Sequence, residues 1–268
     1  MQRLKARCCA VVAGLILAVC GTASARSEEA RLAAIQRAGT LKVCIWPEYF
    51  AISYRNPRNG GLEGLDVDMA AAFARRLGVR PEFVETNFSD FMGRIEAGDC
   101  DIAMFAVGIT PSRRQRVDFS EPYIASAVYG VATKANPRIR TWQDIDRSGV
   151  SVAVAAGTLM EPLMRDTLTK AKLVVVSAPS TREAEVQAGR VDVFMSDYPY
   201  TRRMVLMHDW ARIIEPPAGS ATTPYAYAVA KGDPEWLAAV NAFIAAARAD
   251  GTLARAADRH GLTPILLR

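Results

Sequence analysis

The alternation of apolar and polar positions divides the chain into short buried runs and longer helical stretches. Residues 41–46 form an apolar run of strand length. Across 66–77 the period changes: Met69, Phe73 and Leu77 fall four apart with Ala70 and Ala74 beside them, which makes one apolar helix face, and Gly78 supplies a stop. A short strand is predicted at 82–85, a helix capped by Ser89 and carrying Phe91, Met92 and Ile95, its end at Gly98, and a second buried strand at 101–107. After Tyr123 the rhythm restarts, with strands predicted at 128–133, 151–155, 173–176 and 191–195 and helices at 158–169 and 181–189. A further strand is expected at 225–230. Asp233-Pro234-Glu235 then opens a helix with a capping side chain, a first-turn proline and an acid at the positive helix end, and Trp236, Leu237, Val240, Phe243 and Ile244 give that helix its apolar face.

Strands that alternate with helices predict an α/β protein whose sheets are mostly parallel. A chain of 268 residues holds two compact lobes of roughly 100 residues each. The expected division is a first lobe of residues 26–125 plus 228–268 and a second of residues 126–227. Hinge strands are expected where the chain crosses between them, near 123–127 and 223–228.

Residues 1–25 stand apart from this pattern. Arg3, Lys5 and Arg7 precede an apolar run at 8–20, shorter than the ~20 residues of a bilayer span, and Ala23-Ser24-Ala25 is a small-residue cleavage site. A secretory signal peptide is expected, and with it a periplasmic location. Processing as a lipoprotein at Cys20 would call for a small residue where Val19 stands. Without this leader 30 basic residues face 28 acidic ones, so most of the formal charge of +5 belongs to the leader. The remainder has no cluster of lysine and arginine interleaved with aromatics, which argues against a nucleic-acid partner. Only Cys44 and Cys100 of the five cysteines outlast the leader. An even pair in an oxidising compartment points to a disulfide, with two separate buried thiols as the alternative. Metal-ligand spacing and nucleophile triads are missing from the sequence, so no cofactor or metal is expected.

In open α/β sheets ligands bind beyond the carboxyl ends of strands. The strand at 101–107 runs into Gly108-Ile109-Thr110-Pro111-Ser112-Arg113, where Thr110 can cap a short turn opened by Pro111 and so project Arg113 near the strand end. A guanidinium matches a carboxylate bidentately; the plainer reading is a solvated arginine beside Arg114 and Arg116. Gly157-Thr158, between a strand and the next helix, offers backbone N–H groups and a positive helix end to an anion, or is an ordinary turn with Thr158 as cap. Ser196-Asp197 places a carboxylate where it can meet an ammonium, or is a plain turn. Trp46 and Tyr49 follow the first strand and either cover a ligand or fill core. Together these groups would hold an α-amino acid by both charged ends.

At these residues the chain resembles the family 3 periplasmic solute-binding proteins, the polar amino-acid receptors of ABC importers. Ile109-Thr110-Pro111-Ser112-Arg113 with Val117-Asp118-Phe119-Ser120-Glu121-Pro122-Tyr123 is similar to that family's T-P-E-R and V-D-F-S-x-P-Y segment. Gly64-Leu65-Asp66-Val67-Asp68, Glu96-Ala97-Gly98 before Asp101, Ala156-Gly157-Thr158 and Asp197 extend the likeness over most of the chain after the leader. The resemblance implies a type II two-lobed periplasmic-binding fold, a monomer that closes on an amino acid or related small carboxylate and delivers it to an ABC permease at the inner membrane. It implies that Arg113 grips the carboxylate, Gly157-Thr158 is the second-lobe anion turn, Asp197 takes the ammonium and Tyr49 stacks on the ligand, with Thr110, Gly108 and Trp46 beside them. Two positions depart from the pattern. Trp46 stands where many relatives carry an aspartate, and Gly108 where many carry a ligand-touching serine or threonine. Both changes remove polar contacts, which suggests a less polar or differently shaped solute.

Residues 149–202 also resemble periplasmic cyclohexadienyl dehydratase. The acid of that enzyme follows the Gly-Thr turn at the second position after threonine; here Met160 holds that place and Glu161 comes one residue later. A displaced Glu161 could serve as a general acid, or simply favour its helix dipole. The expectation is a binding protein rather than an enzyme. A second alternative is an accessory or sensor protein whose closure is read by a partner other than a permease.

Overall fold

The computed structural model describes residues 30–267, so the expected leader, its cleavage site and Cys20 lie outside the described residues. Two larger sheets organise the chain, beside a small antiparallel one of Glu48–Tyr49, Ser53–Arg55 and Leu62–Glu63. In the first the order is Arg80–Glu85, Thr40–Ile45, Ile102–Gly108, Thr223–Ala230 and Val117–Phe119, with Ile124–Ser126 also paired to Thr223–Ala230. Its first three strands are parallel, whereas Thr223–Ala230 runs antiparallel to each neighbour. The second sheet runs Lys172–Val176, Ser151–Ala155, Val193–Asp197, Val128–Thr133 and Ala211–Ile214, and Val128–Thr133 is antiparallel to both strands beside it. The sheets are therefore mixed, where mostly parallel ones were expected. Each contains a strand attached to the crossing from the other lobe, and that strand enters against the direction of the strand–helix–strand units. The two crossings lie side by side, with Thr223 opposite Ser126 and Tyr225 opposite Ile124.

Helix Leu65–Leu77 buries Leu65, Met69, Ala70, Phe73 and Ala74, the face its spacing predicts, and ends at Gly78. Helix Pro234–Ala249 is capped by Asp233, whose side chain accepts from the Trp236 N–H at 2.9 Å. Its Trp236 stacks on Phe73 at 5.5 Å and donates its indole N–H to the Asp101 carbonyl at 3.0 Å, which fastens the helix to the first sheet. Ser89 does not cap the next helix; Asn87 accepts from the N–H groups of Ser89 and Asp90, and the helix begins at Phe91. The strand expected at 191–195 lies two residues later, and the helix expected at 158–169 is the shorter Met160–Thr167. Helices Tyr198–Met207 and Thr252–Arg259 were not anticipated, although Asp197 and Pro199 start the first of them with the same device as Asp233 and Pro234.

Cys44 and Cys100 are joined as a disulfide, with Cα atoms 5.5 Å apart and both residues buried. The bond ties the strand Thr40–Ile45 to the residues that precede its neighbour Ile102–Gly108. Cross-linking across a separation of 56 residues restricts the unfolded chain by about 4 kcal/mol in the loop-entropy model. The double variant Cys44→Ala, Cys100→Ala is expected to lose about 2–4 kcal/mol in urea unfolding. An unchanged midpoint would show that the bond adds nothing to the first lobe.

Candidate ligand-binding cleft

Thr110 accepts the Arg113 backbone N–H at 3.2 Å and Pro111 opens the turn Pro111–Arg114, so the cap and proline aim Arg113 inward. Arg113 is 4% exposed, while Arg114 and Arg116 lie on the surface and Arg116 pairs with Glu96. The solvated reading of Arg113 is thereby excluded. Its guanidinium donates to the Gly108 carbonyl at 2.9 Å and, across the cleft, to the Gly157 carbonyl at 3.1 Å. It lies 5.3 Å from the ring centre of Phe88 and 5.6 Å from that of Phe91. Burial lowers its pKa to about 10, which leaves it cationic at neutral pH.

Gly157-Thr158 differs from the anion turn expected of it. The Gly157 N–H donates to the Glu161 carboxylate at 3.1 Å, the Thr158 N–H donates to the Ala155 carbonyl, and the Thr158 hydroxyl donates to that same carbonyl at 2.7 Å. The lobe's own glutamate occupies the positive helix end, so what the turn presents to Arg113 is a carbonyl. Glycine is required at 157 because φ is +73° and a Cβ would lie 2.3 Å from the Ser89 hydroxyl on the opposite lobe. At Gly108 a Cβ would lie 2.8 Å from a methyl of Leu159. Leu159 thus fills the space that a serine or threonine at 108 would need.

Asp197 ends the strand Val193–Asp197 and caps helix Tyr198–Met207, accepting the Tyr200 N–H at 3.3 Å. One carboxylate oxygen also accepts the hydroxyl of Tyr225 at 3.0 Å and that of Tyr49 from the first lobe. It is 5% exposed, and burial raises its pKa against the pull of those donors. Two tyrosine hydroxyls thus bind one oxygen of this carboxylate, which also lines a small cavity between the lobes. Tyr49, expected to stack on a ligand, spends its hydroxyl on this bridge, and its ring packs 5.4 Å from Trp46.

Trp46, Tyr49, Phe88, Leu159, Arg182 and Tyr200 enclose much of a cavity of about 30 Å³, room for roughly one water. Two wider grooves of about 350 and 470 Å³ adjoin it and share Phe88 and Thr158 with it. Thr110 and Arg113 line the smaller groove. Phe88, Leu159, Arg182 and Tyr200 escaped the sequence reading. Arg182 carried a signal, because a cation in the first turn of a helix opposes the helix dipole.

Ala106 lines the cavity with φ +51°, a left-handed conformation that a side chain disfavours. Its N–H donates to Asp66 at 2.8 Å, and Asp66 also accepts the hydroxyls of Tyr123 at 2.5 Å and Tyr227 at 3.2 Å. The fully buried Asp66 therefore pins the cleft floor to the strand Thr223–Ala230 and to Tyr123 just ahead of Ile124–Ser126. Burial raises its pKa to about 7, opposed by these three donors.

Two lobes joined by paired crossings, with a buried cation reaching between them, define a protein that closes its lobes over a small molecule. The chain belongs to the bacterial extracellular solute-binding proteins, family 3, whose model matches residues 41–263. It is 31% identical over 193 residues to the cyclohexadienyl dehydratase of Pseudomonas aeruginosa, covering 72% of each chain. To the L-cystine-binding protein TcyJ of Escherichia coli it is 27% identical over 228 residues, covering 85% of this chain and 84% of the relative. Its structure is similar to that of an ancestral amino acid-binding protein that is a precursor of cyclohexadienyl dehydratase, with a TM-score of 0.77, 31% identity, and coverage of 85% of this chain and 98% of the other.

A folded-state pKa raised above the ordinary carboxylate value makes the stabilisation from Asp66 fullest below about pH 4 and progressively lost as pH rises through about 7. The stability of the native protein relative to Asp66→Asn is expected to fall over that interval, by on the order of 4 kcal/mol. Urea unfolding of both proteins at a series of pH values checks this. A constant difference would mean that the three donors hold Asp66 ionised throughout.

Proposed function

We propose that the chain is a periplasmic, monomeric binding protein that captures an amino acid or related small carboxylate and delivers it to an ABC permease. The observation that carries this reading is Arg113, buried between the lobes with its guanidinium on two backbone carbonyls. A solute carboxylate offers the same fork a stronger, charge-assisted partner. Relatives named for amino-acid binding support the solute class. In the proposed cycle residues 26–125 plus 228–268 rotate against residues 126–227 about the paired crossings, the Arg113–Gly157 contact parts, and the solute enters against Arg113, Thr110, Gly108, Trp46, Tyr49, Asp197 and the Gly157-Thr158 turn before the lobes close.

The protein is proposed to be non-catalytic. The Glu161 carboxylate binds the Gly157 N–H and Arg165 and lines the 350 Å³ groove, turned to its own helix. Incubation with a cyclohexadienyl acid should leave that acid unchanged; turnover abolished by Glu161→Gln would overturn this part of the reading.

A thermal-shift screen of amino acids and small carboxylates should find a solute that, at 100 times its Kd, adds about 2.7 kcal/mol of stability. Arg113→Ala should keep the fold and weaken binding of that solute by about 2–5 kcal/mol in calorimetry. Unchanged affinity would remove Arg113 from the site.

A further inference from the structure

Helix Tyr198–Met207 meets the first lobe at three points that share one of its faces. Asp197, Tyr200 and Arg203 follow one another at three-residue spacing from the helix cap onward, which sets them on one side. Asp197 accepts the Tyr49 hydroxyl, and the Tyr200 ring lies 6.2 Å from Trp46 with the two planes parallel to within 3°. Arg203 donates to the Glu48 carbonyl at 3.3 Å, and its guanidinium lies 5.3 Å from the ring centre of Tyr54 and 5.6 Å from that of Tyr200. The first-lobe partners all fall within residues 46–54.

Glu48 and Tyr54 stand opposite each other in the small sheet, so Arg203 holds a single rung of it. That sheet is fixed to its own lobe. The N–H groups of Leu65 and Asp66, which open helix Leu65–Leu77, donate to the carbonyls of Ala51 at 2.8 Å and Ile52 at 2.9 Å. A pull on Glu48 therefore passes into the first lobe. Asp197 and Tyr200 line the central cavity, whereas Arg203 lines neither that cavity nor the two grooves beside it. Arg203 thus bridges the lobes from outside the space a solute would fill. Its hold is weak, because the bond to Glu48 is long and its buried Nε has no hydrogen-bond partner among the described residues. Such a contact can break and re-form in each cycle.

Resting on the reading that the lobes open and close about the paired crossings, we propose that this helix face is a latch and that Arg203 is its solute-independent fastening. Arg203 holds residues 46–54 against the second lobe before a solute arrives, and so sets the share of closed protein in the solute-free state. It is a positioning residue: it touches no solute and aligns Trp46 and Tyr49 with Tyr200 and Asp197.

Spin labels at Ser112 and Pro162, exposed residues that line the 350 Å³ groove from opposite lobes, report the closed share by pulsed electron resonance on protein dialysed free of solute. The native protein should show a short and a long distance. Arg203→Met, which keeps an unbranched apolar stem, should lower the ratio of short to long about fivefold, the loss expected of one long charge-assisted hydrogen bond and its cation–π contacts. Arg203→Lys, which keeps the charge without the planar fork, should fall between the two. Two distances in a ratio that Arg203→Met leaves unchanged would overturn the latch alone, as would a lowered urea midpoint with that same unchanged ratio, the mark of a merely structural residue. One identical distance in the native protein and both variants would overturn the opening cycle together with the latch. Should Arg203→Met fail to fold, the ratio in Arg203→Lys decides, and a ratio equal to the native one overturns the latch. No solute enters these measurements, so the carboxylate reading stands or falls separately, on Arg113→Ala.

Discussion

The rest of the cleft is arranged around one buried guanidinium that reaches from lobe to lobe. Arg113 is held by the Gly108 carbonyl on its own side and the Gly157 carbonyl on the other. A cation out of water must be hydrogen-bonded, and these carbonyls meet that demand only weakly compared with a carboxylate. In the proposed cycle this links closure to solute capture, because the lobes meet at the group that the solute would engage. Gly157 and Ser89 approach so closely that a single methyl group would separate them, and Leu159 covers Gly108 just beside the guanidinium.

Around that cation the protein has redistributed its polar groups. Asp197 is satisfied by two tyrosine hydroxyls and a backbone N–H, and Glu161 satisfies the turn at Gly157. Trp46 and Phe88 lie where they shape the cavity with apolar surface. Asp197 still lines the central cavity, and Glu161 and Glu183 line the two grooves beside it. Likeness to amino-acid-binding proteins and to a dehydratase is compatible with this, because one scaffold hosts several chemistries through changes at the site.

Local signals carried much of the structure into view. Thr110 and Pro111 placed Arg113, and the four-residue spacing of Met69, Phe73 and Leu77 marked a core helix face. Cys44 and Cys100 pair as the compartment argument expected. Contacts between distant segments were illegible: Tyr49 and Asp197 lie 148 residues apart, and no pattern near either announces their hydrogen bond. Glu161 illustrates a different limit. A first-turn acid was visible, but only the fold shows that its carboxylate takes the N–H an external anion would need. The mixed sheets likewise follow from the crossings, whose pairing depends on the whole chain path.

The account rests on Arg113 coupling the solute to closure, and the distance between the lobes tests that most directly. Spin labels at Glu48 and Ser180, which line the same groove from opposite lobes, report that distance by pulsed electron resonance. A solute that stabilises the native protein should narrow the distribution to a single short distance, and the same solute should leave Arg113→Ala unchanged. A distribution indifferent to the solute in the native protein, or equal narrowing in Arg113→Ala, would contradict the account.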